Sequence, residues 1–522
     1  MASLLSKSSL FRGTLLLLAG SASTVSAVQH HPQRRQGSSC PTVLQPPYTA
    51  PVTGTGWTSQ LIAQNLSTPR GIAFDSAGAL LVVQQGVGIQ RLTFEDYGGT
   101  CLVVNGSTVV VENSDLNHAI QISPDGETLY ASTSDEVYRW QYNATDGSIG
   151  NNQTLVTNMS NTDHVSRTLL LSNKSPNTLL VSRGSSENFD YVAQQLSSGH
   201  SQIRAFDLST LSASSNSSIV PYDYPSQGQR LGWGLRNSVG VAEHPVTGGI
   251  FAVENSADQI VRNGVDIHEN NPGEEMNFLG YLTNDSSPAS SMPSQQGGNY
   301  GYPDCFALWT TDGVPNVDSL TTGDQFSLNQ TATLNDTTCA EDYVAPRLTF
   351  QAHMAPLDIL FDTNGTVAYI TFHGSWDRNE AVGYMLGAVQ FNSNGTTNND
   401  TGTGVGMPIE PSNSTTAVTS VFSNGDLSAC PNGCFRPVGL AWDQQGRLFM
   451  SSDSTGEIWV LQQGDVTTTG GGDGTSPSSS SSASANLAPR SGPSQPEGGV
   501  LWLMCLAMLI SVSSGALVTI AI

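Results

Sequence analysis

The sequence predicts an all-β fold: a six-bladed β-propeller followed by a disordered Ser/Gly-rich C-terminal stalk. Three observations lead there. Six stretches share one grammar of apolar strand, polar turn and apolar strand. No amphipathic helical segment of comparable strength interrupts them before the C-terminal tail. Self-similarity repeated along a chain marks a solenoid, propeller or array, and four-stranded blades need about 40 residues or more each, which suits a propeller.

The first copy is PRGIAFDSAGALLVV from Pro69, and the second is NHAIQISPDGETLYAS from Asn117. SRTLLLSNKSPNTLLVS from Ser166 and SVGVAEHPVTGGIFAVE from Ser238 follow. PLDILFDTNGTVAYIT from Pro356 and PVGLAWDQQGRLFMS from Pro437 complete the set. Apolar residues alternate at period 2, the strand signal, and the Asp/Pro/Gly-rich turns make hairpins of the strand pairs. Spacing is uneven between the fourth and fifth copies. There 262–350 reads as a long insertion carrying Cys305 and Cys339.

The ends read as processing segments. Lys7 and Arg12, the apolar run Leu15 to Ala19 and the small residues through Ala27 have the order of a secretory signal over 1–27. An N-terminal extension, 28–47, follows with a dibasic Arg34-Arg35, and the propeller is expected over 48–464. Residues 465–498 form a Ser/Gly/Pro-rich stalk whose composition buries no core. The tail 499–522 is apolar or small, and Ser484, Asn486, Ser491 and Gly492 are attachment candidates for a GPI signal. A retained transmembrane helix is the alternative, since the tail is long enough to span. The expected location is therefore outside the cell, at its surface, with membrane attachment through the GPI anchor.

Net charge is −24 with 19 Lys and Arg, which argues against nucleic acid as a partner. Of seven cysteines, Cys505 lies in the tail; the other six, an even set in an exported chain, read as disulfides. Proximity suggests 40–101, 305–339 and 430–434. Asn-x-Ser/Thr sequons, among them Asn65, Asn143 and Asn335, mark a glycosylated surface.

The informative residues stand just before each first strand. They are Arg70, His118, Asp163 with His164 and Arg167, Arg236 with Asn237, His353 and Arg436. Equivalent positions in a propeller face the same end of the axis, so these residues converge. Several guanidiniums and imidazoles around one pocket in an acidic chain call for an anionic ligand, a polycarboxylate or a phosphate. No P-loop or dinucleotide fingerprint is present.

The segment LRNSVGVAEHPVTGGIFAVENSADQI, then NNPGEEMNFLG and GGNYGYPDC, resembles the soluble quinoprotein glucose/sorbosone dehydrogenases. Within that superfamily the chain is most similar to the fungal pyranose dehydrogenases that use pyrroloquinoline quinone (PQQ). The likeness runs from about Leu66 to Leu461, and HVSRTLLLS, LLVSRGSSEN and HGSWDR extend it. It implies PQQ, a planar tricarboxylate, on the propeller axis with Ca²⁺ beside it.

The resemblance also implies roles. His164 would be the general base on the sugar's anomeric hydroxyl, with Asp163 orienting it. Arg236 and Asn237 would contact the quinone, as would Arg436, Arg70 and His118. Main-chain carbonyls of Ser256 and Ala257, and the Asp258 carboxylate, would face Ca²⁺. Where bacterial members place a lysine, this chain reads HGSWDR, so His373, Trp376 or Arg378 substitutes, with Trp376 able to stack on a flat cofactor. The implied activity is oxidation of a pyranose or 2-keto-aldose to a lactone. Electrons would pass to an external acceptor, a cytochrome-domain protein being one candidate. A non-catalytic surface propeller binding glycans or a protein is the alternative from another class. A Ca²⁺-dependent lactonase is disfavoured, because it would place carboxylates and Asn, not cations, on the axis.

Overall fold

The computed structural model describes residues 40–211, 219–282, 296–317, 319–393 and 404–464. The chain divides into Met1–Pro41 and Thr42–Ile522. The propeller belongs to the second unit. The signal over 1–27, the stalk and the tail lie outside the described residues. Among the described residues, no helix is long and apolar enough to cross a membrane.

Six sheets of at least four strands form the six blades. Their inner strands are Pro69–Phe74, Ile120–Ile122, Leu169–Leu171, Ser238–Glu243, Pro356–Phe361 and Pro437–Trp442. Each begins within a few residues of a predicted repeat start. The inner strands neighbour one another in ring order, and Pro437–Trp442 returns to Pro69–Phe74. Close approach has a local cause. A Cβ on Gly71 would stand 2.3 Å from the His118 carbonyl oxygen, and one on Gly439 would stand 2.5 Å from that of Arg70. The fifth repeat carries Asp358 in the matching place, and its carboxylate accepts the N–H of Leu440 in the next blade at 2.8 Å.

Two features exceed the sequence reading. The outer strand of the sixth blade comes from the other end of the propeller: Trp57–Ala63 pairs antiparallel with Glu457–Gln463. The ring is thus closed by hydrogen bonds between the start and the end of the repeat array. Second, the stretch 262–350 is only partly an insertion. Glu274–Tyr281 and Leu348–Phe350 are the third and fourth strands of the fourth blade. Their side chains are buried on both faces, so they lack the alternation that marked the other strands.

Apolar cores lie between adjacent blades. Between the fourth and fifth, Phe251 meets Phe278, Phe361 and Phe391 with ring centroids 5.0 to 5.8 Å apart, in tilted or edge-on contact. Cys305 is bonded to Cys339 and Cys430 to Cys434. Cys40 is disulfide-bonded, as is Cys101.

Candidate active site

A cavity of about 280 Å³ opens where the loops of the third, fourth, fifth and sixth blades meet. Asp163, His164, Arg236, Ser256, Asp258, His353, Trp376 and Arg436 line it, all from the predicted set. Asn188, Asn255, Gln259 and Glu274 line it as well, without having been singled out in the sequence.

Arg236 is its most elaborately held side chain. Nε donates to the Asn188 carbonyl at 3.2 Å, and Nη1 donates to the carbonyls of Ser256 at 2.6 Å and Asn255 at 3.2 Å. Nη2 reaches Asn188 Oδ1 at 2.8 Å and Asp258 Oδ2 at 3.2 Å. Asn188 also takes the Asp258 N–H at 3.0 Å and donates to the Asp258 carbonyl at 2.8 Å. One asparagine in a third-blade loop therefore fastens the Ser256–Asp258 turn of the fourth blade. The insertion braces that loop: the Tyr302 hydroxyl accepts the Asp190 N–H at 2.6 Å and lies 3.0 Å from the Asn188 carbonyl.

Asp258 Oδ1 lies 3.5 Å from His353 Nδ1, whose Nε2 contacts the His268 carbonyl at 2.7 Å. Asp377 completes a group with Asp258 and His353 whose ligand atoms lie within 4.8 Å of one another. Two carboxylates and an imidazole can hold a cation there. Ser256 offers its carbonyl to Arg236, and the Ala257 side chain is buried among apolar residues of the insertion.

Arg436 donates to the carbonyls of His373 at 3.1 Å and Gly374 at 2.9 Å, and its guanidinium lies 5.6 Å from the Tyr384 ring centroid. Trp376 stands at the mouth, 49% exposed. Arg70, His118 and His373 form a buried set outside the cavity lining. Asp453 joins two of them, at 2.6 Å from Arg70 Nη1 and 2.8 Å from His373 Nε2. Arg70 Nε, His118 Nδ1 and His373 Nδ1 are buried without a hydrogen-bond partner among the described residues.

The expected ring is not assembled in full. Arg167 does not join the ring. The residue is 0% exposed, and its Nη1 and Nη2 donate to the carbonyls of His164, Ser166 and Met159, bracing the loop from behind. Asn237 is buried outside the lining, and its carbonyl accepts the Asn255 N–H at 3.0 Å. Asp163 makes no hydrogen bond to His164 among the described residues. The Nδ1 partner of His164 is Ser185, with Oγ at 2.8 Å and the carbonyl at 3.2 Å. Nor are the cations left uncompensated, since Asp453 and Asp258 stand among them.

Asp453, Asn188 and Asp377 follow the second strand of a repeat, whereas the predicted ring was read from residues before the first strand. Both positions of a hairpin lie at the same blade end. Lining up the residues after the second strands was the available signal.

Burial and the nearby Arg236 cation push His164 down to about 3, so its imidazole is neutral over the ordinary pH range. Burial pushes His373 down to about 4 and His118 well below the ordinary value. The same force acts oppositely on acids: Glu274 and Asp358 rise to about 7, and Glu254 is raised by burial and by Glu275. The buried histidines bind protons more readily unfolded, so stability is lost as pH falls from 6.5 toward 4 and 3. The contribution of Glu274 is complete below 4.5 and lost as pH rises through about 7. The ligand-free protein is therefore expected to melt highest between about pH 4.5 and 6.5. A melting temperature that climbs steadily from pH 6 to 8 would contradict this.

A family model described as TrAA12-like matches residues 51–464. The chain is 52% identical over 423 residues to a pyrroloquinoline quinone-dependent sugar dehydrogenase of Hypocrea jecorina (strain QM6a), covering 80% of this chain and 91% of that protein. It is 34% identical over 438 residues to a pyrroloquinoline quinone-dependent pyranose dehydrogenase of Coprinopsis cinerea, covering 81% of this chain and 56% of that protein. Among solved structures, the calcium structure of Trichoderma reesei Carbohydrate-Active Enzymes Family AA12 superposes with a TM-score of 0.75 at 52% identity, over 81% of this chain and 99% of that one. The holo form of the pyranose dehydrogenase PQQ domain from Coprinopsis cinerea gives 0.71 at 34% identity, over 81% and 99%.

Proposed function

The chain belongs to the TrAA12-like family, and from that premise we propose that it is a PQQ-dependent sugar dehydrogenase. It oxidises a pyranose or 2-keto-aldose at the anomeric carbon, with Ca²⁺ in the site and electrons leaving to an external acceptor. The observation that carries this reading is one cavity that holds a neutral, buried His164 beside the guanidiniums of Arg236 and Arg436.

The donor set suits such a cofactor. The guanidiniums of Arg236 and Arg436 line the cavity, an environment an acceptor-rich polyanion satisfies, and the buried Arg70 Nε behind it is a donor without a partner among the described residues. When bound, PQQ supplies the two-electron oxidant. The protein supplies the rest. Arg236 and Arg436 counter the anionic charge of the bound carboxylates. Asp258, Asp377 and His353 would hold the cation. His164 Nε2 takes the proton of the hydroxyl as its carbon is oxidised, a task open to an imidazole only when neutral. Trp376 at the mouth offers an apolar face to the sugar ring or the cofactor.

Export and surface anchoring belong to the same proposal, supported by the sequence patterns of 1–27 and 499–522. Reconstitution tests the function. Ligand-free protein loaded with PQQ and Ca²⁺ should show the quinone absorbance on the protein and reduce an artificial dye with some pyranose. Bound PQQ without activity across a broad sugar panel would favour a binding propeller instead.

A further inference from the structure

We propose that Ser185 is the positioning residue of His164: its hydroxyl and carbonyl hold the imidazole proton on Nδ1 and leave Nε2 bare for the substrate. This rests on the reading of His164 as the base. The Ser185 carbonyl, 3.2 Å from Nδ1, only accepts hydrogen bonds. The Ser185 hydroxyl, 2.8 Å from Nδ1, has one proton and donates it to the Glu187 carbonyl at 2.9 Å. Toward the ring it is therefore an acceptor too. Two acceptors at one nitrogen require a proton on that nitrogen. Nε2 then carries the lone pair, and no described residue bonds it.

The turn that carries Ser185 is held for this purpose from three sides. Its N–H donates to the Arg236 carbonyl at 2.8 Å, which ties it to the fourth blade. Asn161 Nδ2 donates to the Ser185 carbonyl at 3.1 Å. Gly184 lets the turn pass close by, because a Cβ there would stand 2.8 Å from the His164 Cβ and 2.7 Å from Asn237 Oδ1. A hydroxyl in this place differs in effect from a carboxylate. It fixes the tautomer and the ring plane but adds no negative charge to stabilise the imidazolium, so orientation is its whole contribution.

The test uses ligand-free full-length protein labelled with ¹⁵N-histidine, with His164→Asn assigning the ring signals. In the wild type the His164 ring should carry its proton on Nδ1. In Ser185→Ala only the longer carbonyl contact remains, and a mixture of tautomers should appear. After PQQ loading, kcat of that variant should fall about tenfold, with KM within about twofold of the wild type. Ser185→Thr keeps the hydroxyl and should restore both signatures. A wild-type ring protonated at Nε2 overturns the proposal even if no variant folds. So does a Ser185→Ala protein with unchanged ring signals and turnover. Full activity in His164→Ala would instead remove the base assignment while leaving the tautomer result intact, so the two failures are distinguishable.

Discussion

Replacing His164 with alanine is expected to lower turnover on the best sugar by about 10²–10⁴-fold, the contribution typical of a positioned general base. The protein should still fold and still take up PQQ. Among the described residues the His164 imidazole bonds only Ser185, whose hydroxyl keeps Glu187 as a partner after the ring is gone. The effect should therefore appear in kcat rather than in cofactor retention. Added free imidazole should recover part of the rate, because the space vacated adjoins the active-site cavity. Turnover within tenfold of wild type, with PQQ bound, would remove His164 from the chemistry.

Replacing Arg236 with leucine should affect stability and cofactor binding together. Five hydrogen bonds from one guanidinium hold the third-blade loop to the Asn255–Asp258 turn, and one of them reaches the Asp258 carboxylate. The residue is 3% exposed, so its removal strands Asp258 and the carbonyls beside it. Breaking a buried pair from one side costs about 3–5 kcal/mol, and Asp258 is less deeply buried than Arg236, which puts the loss near the lower end. Chemical denaturation of the ligand-free protein measures it. PQQ titration should show at least about a hundredfold weaker binding, with loss of both the positive charge and the turn that the five donors hold. Arg236→Lys keeps the charge without the fork and should fall between. Wild-type PQQ affinity in Arg236→Leu would show that the guanidinium serves the turn alone.

The repeat made much of the site readable in advance. His164, Arg236, His353 and Arg436 were found by their equivalent places, and all four line the cavity. Arg167 shows the limit of that method. It stands three residues after His164, yet its side chain turns away from the axis, because buried carbonyls behind the loop claim its donors. Asn188 and Ser185 were missed for another reason. They are uncharged loop residues whose importance comes only from what they touch. Asp453 was missed because it follows the strand pair instead of preceding it.

Sequence alone determined the hairpins, the number of blades and the class of side chain gathered at one blade end. Those properties are local: period-2 burial and turn chemistry act within a few residues, and repetition carries them around the ring. Tertiary structure alone decided the closure of the ring by Trp57–Ala63, the division of the cations between the cavity and the Asp453 cluster, and the hydroxyl partner of His164. These depend on loops far apart in the chain being pressed together by packing between blades. A hydrogen bond such as Arg70 to Asp453, 383 residues apart, has no local pattern to announce it.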